Sequence, residues 1–237
     1  MKYLHSPLLL LLLLASEFCL SQSKLVCEVR DPRSDKSKPA PAVILLHGWG
    51  SDEKDLLDLS DALPRGWVLL TVRAPFARPA GGYMWYGLQF GNGIFREDVQ
   101  QANASTLQLR AFVREKAKSL RLDTTQLFIG GFSQGAIMAL RVGLQSPYPV
   151  RGIICLSGRF PPDVDLGKMA PVQKARIPVF VAHGTGDKVI PLSDGRTIVQ
   201  KLKSAGLRVS AYEYPMGHQI SSEELQTLRR WLEQESK

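Results

Sequence analysis

The sequence predicts an α/β domain, a mostly parallel central sheet with helices on both faces. Three observations lead there. Apolar, β-branched runs alternate along the chain with longer amphipathic stretches, the pattern of repeated β-α units. Most of those runs are nearly continuous in hydrophobicity, as strands covered on both faces are. The chain has 237 residues, 44% hydrophobic and 22% charged, which is ordinary globular composition with enough length for a full core.

The first element is not part of that domain. Lys2 precedes an unbroken leucine run, Leu8 to Leu14, well short of the ~20 apolar residues a membrane span needs. A basic start, a short apolar core and small residues at Cys19 and Ser21 read as a secretory signal over residues 1–21, cleaved to leave Gln22. The product would be secreted or periplasmic, with no membrane span. Residues 22–41 then hold a strand-like stretch around Cys27 and a polar, proline-bearing linker, "RDPRSDKSKPAP". Cys27 and Cys155 would be the only cysteines left, two separate thiols rather than a disulfide framework.

The domain proper, residues 42–237, supplies six strand candidates: Ala42–His47, Trp67–Val72, Leu127–Gly131, Gly152–Ser157, Pro178–His183 and Val209–Tyr214. Helices are expected near Glu53–Ala62, Glu97–Leu120, Gln134–Leu144, Ser193–Ser204 and Ser222–Glu235, the last with Ser222 as its cap. Between Val72 and the third strand lie one long loop and one long helix, with no apolar helical insertion that could serve as a lid. The formal charge of +8 is scattered, with no basic run interleaved with aromatics, so no nucleic-acid partner is expected.

Chemistry concentrates at "GGFSQGAIMAL". Here Ser133 stands between Gly131 and Gly135 at a change from strand to helix, the context of a nucleophile elbow. A serine hydroxyl needs a base to take its proton. His47 and His183 end strands and could instead orient loops. His218, in "YPMGHQI" after the last strand, can reach over the carboxyl edge of the sheet. A carboxylate must fix the imidazole, and "HGTGDKVIP" places Asp187 in a tight loop after a strand. Asp194, seven residues on, reads as a helix cap. The order Ser133, Asp187, His218 is the α/β-hydrolase order. Oxyanion donors are expected from the Gln134 amide and from the Trp49 amide in "HGWGSDEKD".

"VILLHGWGSDEKDL", "RAPFARPAGGYMWYGL", "GGFSQGAIMAL", "HGTGDKVIP" and "YPMGHQI" resemble, in order and spacing, blocks of the phospholipase/carboxylesterase family. The resemblance runs from about Ala42 to the last helix. It implies the α/β-hydrolase fold, Ser133 as nucleophile, Asp187 as orienting acid, His218 as base, and the Trp49 and Gln134 amides as oxyanion hole. Gly87 departs from the family, whose members often carry an acid there. The activity implied is hydrolysis of small to medium carboxylic esters through an acyl-enzyme. Alternatives are a lysophospholipase or thioesterase, a feruloyl or acetyl esterase acting on polysaccharide acyl groups, and, from another class, a catalytically idle binding module. No cofactor is implied, and no metal-ligand spacing appears. Trp49, Trp85, Tyr86 and Met216 are expected to wall a shallow apolar acyl cleft, with Phe76 and Tyr83 nearby.

Overall fold

In the computed structural model, residues 25–91, 94–145 and 150–236 are described. The signal segment expected over residues 1–21, and the cleavage point before Gln22, lie outside them. Seven strands form one sheet: β1 (Cys27–Arg30), β2 (Ala40–Leu46), β3 (Val68–Val72), β8 (Leu122–Phe132), β9 (Gly152–Leu156), β10 (Pro178–Gly184) and β11 (Arg208–Tyr214). Their spatial order is β1-β3-β2-β8-β9-β10-β11, with β1 antiparallel to β3 and the other pairs parallel. The continuous apolar runs explain this: every residue of β3, β9 and β10 is buried, as both faces are covered.

One face carries α1 (Val99–Ser119), α2 (Gln134–Gln145) and α4 (Leu192–Ser204). Leu109, Phe112, Ile137, Leu140, Ile198 and Leu202 of these helices join a core with Ile44, Leu70 and Ile129 of the sheet. On the other face, α5 (Ser222–Glu235) and a 3₁₀ turn at Leu57–Ala62 pack Leu228, Trp231 and Leu59 against Phe128, Leu156 and Phe180. Helix α2 is buried at every position from Gln134 to Leu144, so it is the central helix behind the sheet. A short helix, α3 (Pro171–Arg176), leads into β10.

Several expectations need correction. The helix expected near Glu53–Ala62 is only the 3₁₀ turn, because the stretch spends its first residues on turns. The cap of α5 is Ser221, not Ser222. Its hydroxyl accepts the Glu224 amide while the Glu224 carboxylate accepts the Ser221 amide, a capping box. Asp194 lies in the first turn of α4 but caps nothing: the N-cap is Pro191, without a side-chain bond. The long loop after β3 folds into two hairpins, β4 (Phe76–Ala77) with β5 (Tyr83–Met84) and β6 (Leu88–Gly91) with β7 (Ile94–Glu97). No described helix is long and apolar enough to cross a membrane.

Candidate active site

The carboxyl ends of β2, β8 and β10 meet the loop after β11, and four segments converge there. Ser133 is the single residue between β8 and α2, and its φ of 55° is in the left-handed region, a conformation a non-glycine residue adopts only at a sharp turn. Its carbonyl accepts the amides of Ala136 and Ile137, so α2 starts at once. The flanking glycines are steric necessities. A Cβ at Gly131 would stand 2.5 Å from the Leu46 carbonyl oxygen, and one at Gly135 would run into that same carbonyl. The turn is pressed against the end of β2 with room only for hydrogen.

His218 and Asp187 reach this hydroxyl in sequence. The Ser133 hydroxyl donates to His218 Nε2 (2.9 Å), and His218 Nδ1–H donates to Asp187 Oδ2 (2.7 Å). The carboxylate can only accept, which places the imidazole proton on Nδ1 and leaves Nε2 free to receive one. The Phe132 ring packs against the imidazole with centroids 4.7 Å apart. Asp187 is buried, and its Oδ1 accepts the amides of Val189 (2.8 Å) and Ile190 (2.9 Å). Burial pushes its pKa up. The hydrogen bonds from His218, Ile190 and Val189 outweigh that and hold the carboxyl below its usual range. The acid and base loops are stitched together: Thr185 N–H donates to the Tyr214 carbonyl and Gly186 N–H to the Met216 carbonyl.

The two other histidines among the described residues do structural work. His47 Nε2 accepts the Ala74 amide (3.0 Å) and its Nδ1–H donates to the Gly48 carbonyl (2.7 Å), tying the β2 and β3 exits together. Burial lowers its pKa, which keeps the ring in this neutral form. His183 Nε2–H donates to the Ile190 carbonyl (2.8 Å) and lies 3.5 Å from Asp187 Oδ2, the oxygen that accepts the His218 hydrogen bond. Its ring rests on Gly195 of α4, where a Cβ would come within 2.6 Å of Nδ1. Sequence reasoning left His183 as a loop-orienting histidine. Its closeness to the acid follows from a four-residue turn, His183 to Asp187, which is visible in the spacing.

Gly48 lies against the elbow, where a Cβ would be 3.5 Å from Ser133 Cβ. Trp49 is the next residue in the chain. The Gln134 amide, first in α2, has no intrahelical acceptor. The two expected oxyanion donors thus belong to residues next in sequence to Gly48 and to Ser133. The Gln134 side chain does something sequence reasoning missed. Its Oε1 accepts the Trp85 amide (2.9 Å) and its Nε2 donates to the Tyr86 carbonyl (2.8 Å), clamping the link between the two hairpins to the elbow.

This overturns part of the expected acyl cleft. Trp85 and Tyr86 are both 0% exposed. The Trp85 indole N–H donates to the His47 carbonyl (2.9 Å), its carbonyl accepts the Ser105 hydroxyl, and the Tyr86 hydroxyl donates to Glu97 (3.2 Å). They are the packed base under the site, not its walls, because their polar atoms find partners inside the protein and both rings are sealed from solvent. Gly87 donates its amide to Gln101 Oε1 (2.8 Å). Of the expected wall residues, Trp49 is 42% exposed and Met216 is half-buried beside the base loop.

Comparisons with known proteins show the family and the fold. The family described as Phospholipase/Carboxylesterase matches residues 30–236. Acyl-protein thioesterase 1 of Kluyveromyces lactis is 30% identical over 217 residues, covering 84% of this chain and 94% of the yeast protein. Among solved structures, esterase PE8 superposes with a TM-score of 0.75 at 28% identity, covering 89% of this chain and 99% of its own. The Bacillus cereus carboxylesterase shares the fold, with a TM-score of 0.76 at 24% identity over 91% of this chain and 97% of its own.

Proposed function

The chain belongs to the phospholipase/carboxylesterase family, and on that premise we propose that it cleaves small to medium carboxylic esters through an acyl-enzyme on Ser133. Membership makes it a hydrolase of esters or thioesters. The observation that carries the finer reading is the unbroken run of two hydrogen bonds from the Ser133 hydroxyl through His218 to buried Asp187.

His218 Nε2 takes the hydroxyl proton as Ser133 Oγ attacks the ester carbonyl, and Asp187 stabilises the imidazolium that forms. The carbonyl oxygen becomes an oxyanion facing the Trp49 and Gln134 amides, donors fixed before the reaction begins. Collapse of this intermediate breaks the carbon–alcohol oxygen bond, and His218 returns its proton to the departing alcohol. Water then repeats the sequence on the acyl-enzyme, releasing the acid and restoring the serine hydroxyl. The same steps cleave a thioester, whose thiolate is the easier leaving group. The 30% identity to a yeast acyl-protein thioesterase supports this second reading.

The leucine run at Leu8–Leu14 supports export, and a mature protein beginning at Gln22 in host supernatant or periplasm would check it. The function is tested with p-nitrophenyl esters of rising acyl length beside an acyl thioester, and with a fluorophosphonate probe. Hydrolysis and a single label, both lost in Ser133→Ala, are expected. A label that persists in the variant refutes the assignment.

A further inference from the structure

The loop that bears the Trp49 amide carries a fixed cation. Hairpin β4–β5 is bound to this loop by two backbone hydrogen bonds, Gly50 N–H to the Tyr83 carbonyl and Tyr83 N–H to the Ser51 carbonyl, both 2.8 Å. At the tip of the hairpin, Arg78 folds back over the loop. Its guanidinium carbon lies 3.5 Å from the centroid of the Trp49 ring, and Nη1 donates to the Gly81 carbonyl (3.3 Å). The same nitrogen rests on Gly50, which has no room there for a Cβ and whose φ of 89° is in the left-handed region. The arginine is thus half-buried and held on three sides by an indole face, a carbonyl and a glycine backbone.

Nothing described neutralises it. Arg73, in the same segment, is bidentate to Glu53. Arg141, in α2, is paired with Asp163 and Glu97. Among the described residues no carboxylate pairs with Arg78. A guanidinium has five N–H donors in a rigid fork, and one is used here. The position matters as much as the charge. Gly48 touches the elbow and Gly50 touches the guanidinium, and the two peptide units that join them span at most about 7 Å. The exposed Trp49 ring lies between as a plate for whatever the ester carries.

We propose that Arg78 selects esters bearing an anionic oxygen group, a carboxylate or a phosphate, which lies over Trp49 while the ester carbonyl lies at Ser133. This rests on the esterase reading above and adds the substrate class to it. A fork already stacked and oriented loses little freedom on pairing with two oxygens, and the indole shields the pair from water. No feature of the neutral acyl cleft would require a cation held in this manner.

The test measures kcat/KM on matched pairs. One pair places the anion on the acyl side, p-nitrophenyl hydrogen succinate against p-nitrophenyl butyrate. The other places it on the alcohol side, a lysophosphatidate against the monoacylglycerol with the same acyl chain. The readout is the anionic-to-neutral ratio within each variant, which cancels any loss shared by both substrates. At low ionic strength the ratio in at least one pair should fall about tenfold in Arg78→Gln and less in Arg78→Lys, which keeps charge without the fork. The wild-type ratio should also shrink as salt is raised to several hundred millimolar. The pair that responds identifies carboxylate or phosphate as the group read. A ratio unmoved by Arg78→Gln in both pairs overturns the proposal while leaving the esterase intact. So does a ratio that collapses only in Lys188→Gln, the exposed cation beside Asp187. If the wild type hydrolyses neither member of either pair and Ser133 takes no probe, the esterase reading fails and this one with it.

Discussion

Ser133 and Gln134 are placed by shape, while Asp187 and His218 are placed by hydrogen bonds. The first pair sits where β8 turns into α2, against the end of β2, and glycines at 131 and 135 are the only residues that fit there. The second pair sits on two loops, where Asp187 is bound by two amides and an imidazole and the loops are bound to each other. A packed turn resists displacement in every direction, whereas a hydrogen-bonded loop holds one geometry only while its charges remain. The two halves should therefore fail differently: one by unfolding, the other by losing activity with the fold intact.

The largest effect is expected in the hydrogen-bonded half. Asp187→Asn keeps the size but replaces an acceptor-only group with one that can present an N–H to His218. Turnover should fall by on the order of 10⁴, with circular dichroism unchanged. Asp194→Asn, in the first turn of α4 with no capping bond, should cost little. Comparable losses in the two variants would mean that Asp187 is not the orienting acid.

The packed half is probed by Gly135→Ala. The added methyl meets backbone carbonyls of Leu46 and His47, which cannot rotate away as a side chain would. Overpacking against backbone should destabilise by about 3 kcal/mol, read as a lower urea midpoint at unchanged m-value. A variant that is fully stable but inactive would show that this half, too, is held by local geometry alone.

The two halves also differ in how far the sequence discloses them. The elbow is legible because its sterics demand particular residue types at fixed spacing: glycine, serine and glycine between an apolar strand and helix. Asp187 and His218 are legible through chain order and their positions after strands. The clamp from Gln134 to Trp85 and Tyr86 is not, since it joins residues almost fifty apart through a side-chain amide that carries no periodic signal. Trp85 and Tyr86 were misassigned to the cleft for the same reason: an aromatic in a glycine-rich stretch looks exposed until the tertiary partners of its polar atoms are known. The sheet was readable from its continuous apolar runs. The short hairpins after β3 were not, because strands of two to four residues are too brief for alternation to show.

A third effect, in the helix that follows the base loop, is read by pH. Glu224, the third residue of α5, closes the capping box three residues after Ser221, which itself follows His218 by three. It is fully buried, and burial raises its carboxyl to about 7 although the Ser221 amide bond pulls the other way. In the unfolded chain it would ionise near 4.5. Between those values the folded protein keeps a proton that the unfolded chain has released, so stability falls as pH rises and levels off above about 7. The full span is worth up to about 3 kcal/mol. Glu224→Gln keeps the capping box and removes the titration. Its unfolding free energy should decline less than wild type between pH 5 and pH 7.5. Identical slopes would show that this carboxyl does not titrate in that window.

The smallest effect concerns the base under the site. Trp85→Phe keeps a buried aromatic ring and deletes one donor, the indole N–H that meets the His47 carbonyl. The main-chain bonds of residue 85 to Gln134 and Ser105 remain, since they do not depend on the side chain. A single neutral hydrogen bond with its buried acceptor left unpaired should cost about 1–2 kcal/mol, seen as a modestly lower melting temperature. The more telling readout is the acyl-length profile. Each buried methylene adds ~0.8 kcal/mol of binding only where a wall receives it. Trp85 is sealed from solvent, so kcat/KM for acetate through octanoate should shift together in Trp85→Phe and keep its relative shape. Trp49→Ala should change that shape, because its exposed ring adjoins the oxyanion donor. If Trp85→Phe instead altered the preference among chain lengths, the segment clamped by Gln134 would have to open during turnover. The base and the wall of the cleft would then be one structure, and the contrast between a packed half and a hydrogen-bonded half would hold only for the enzyme at rest.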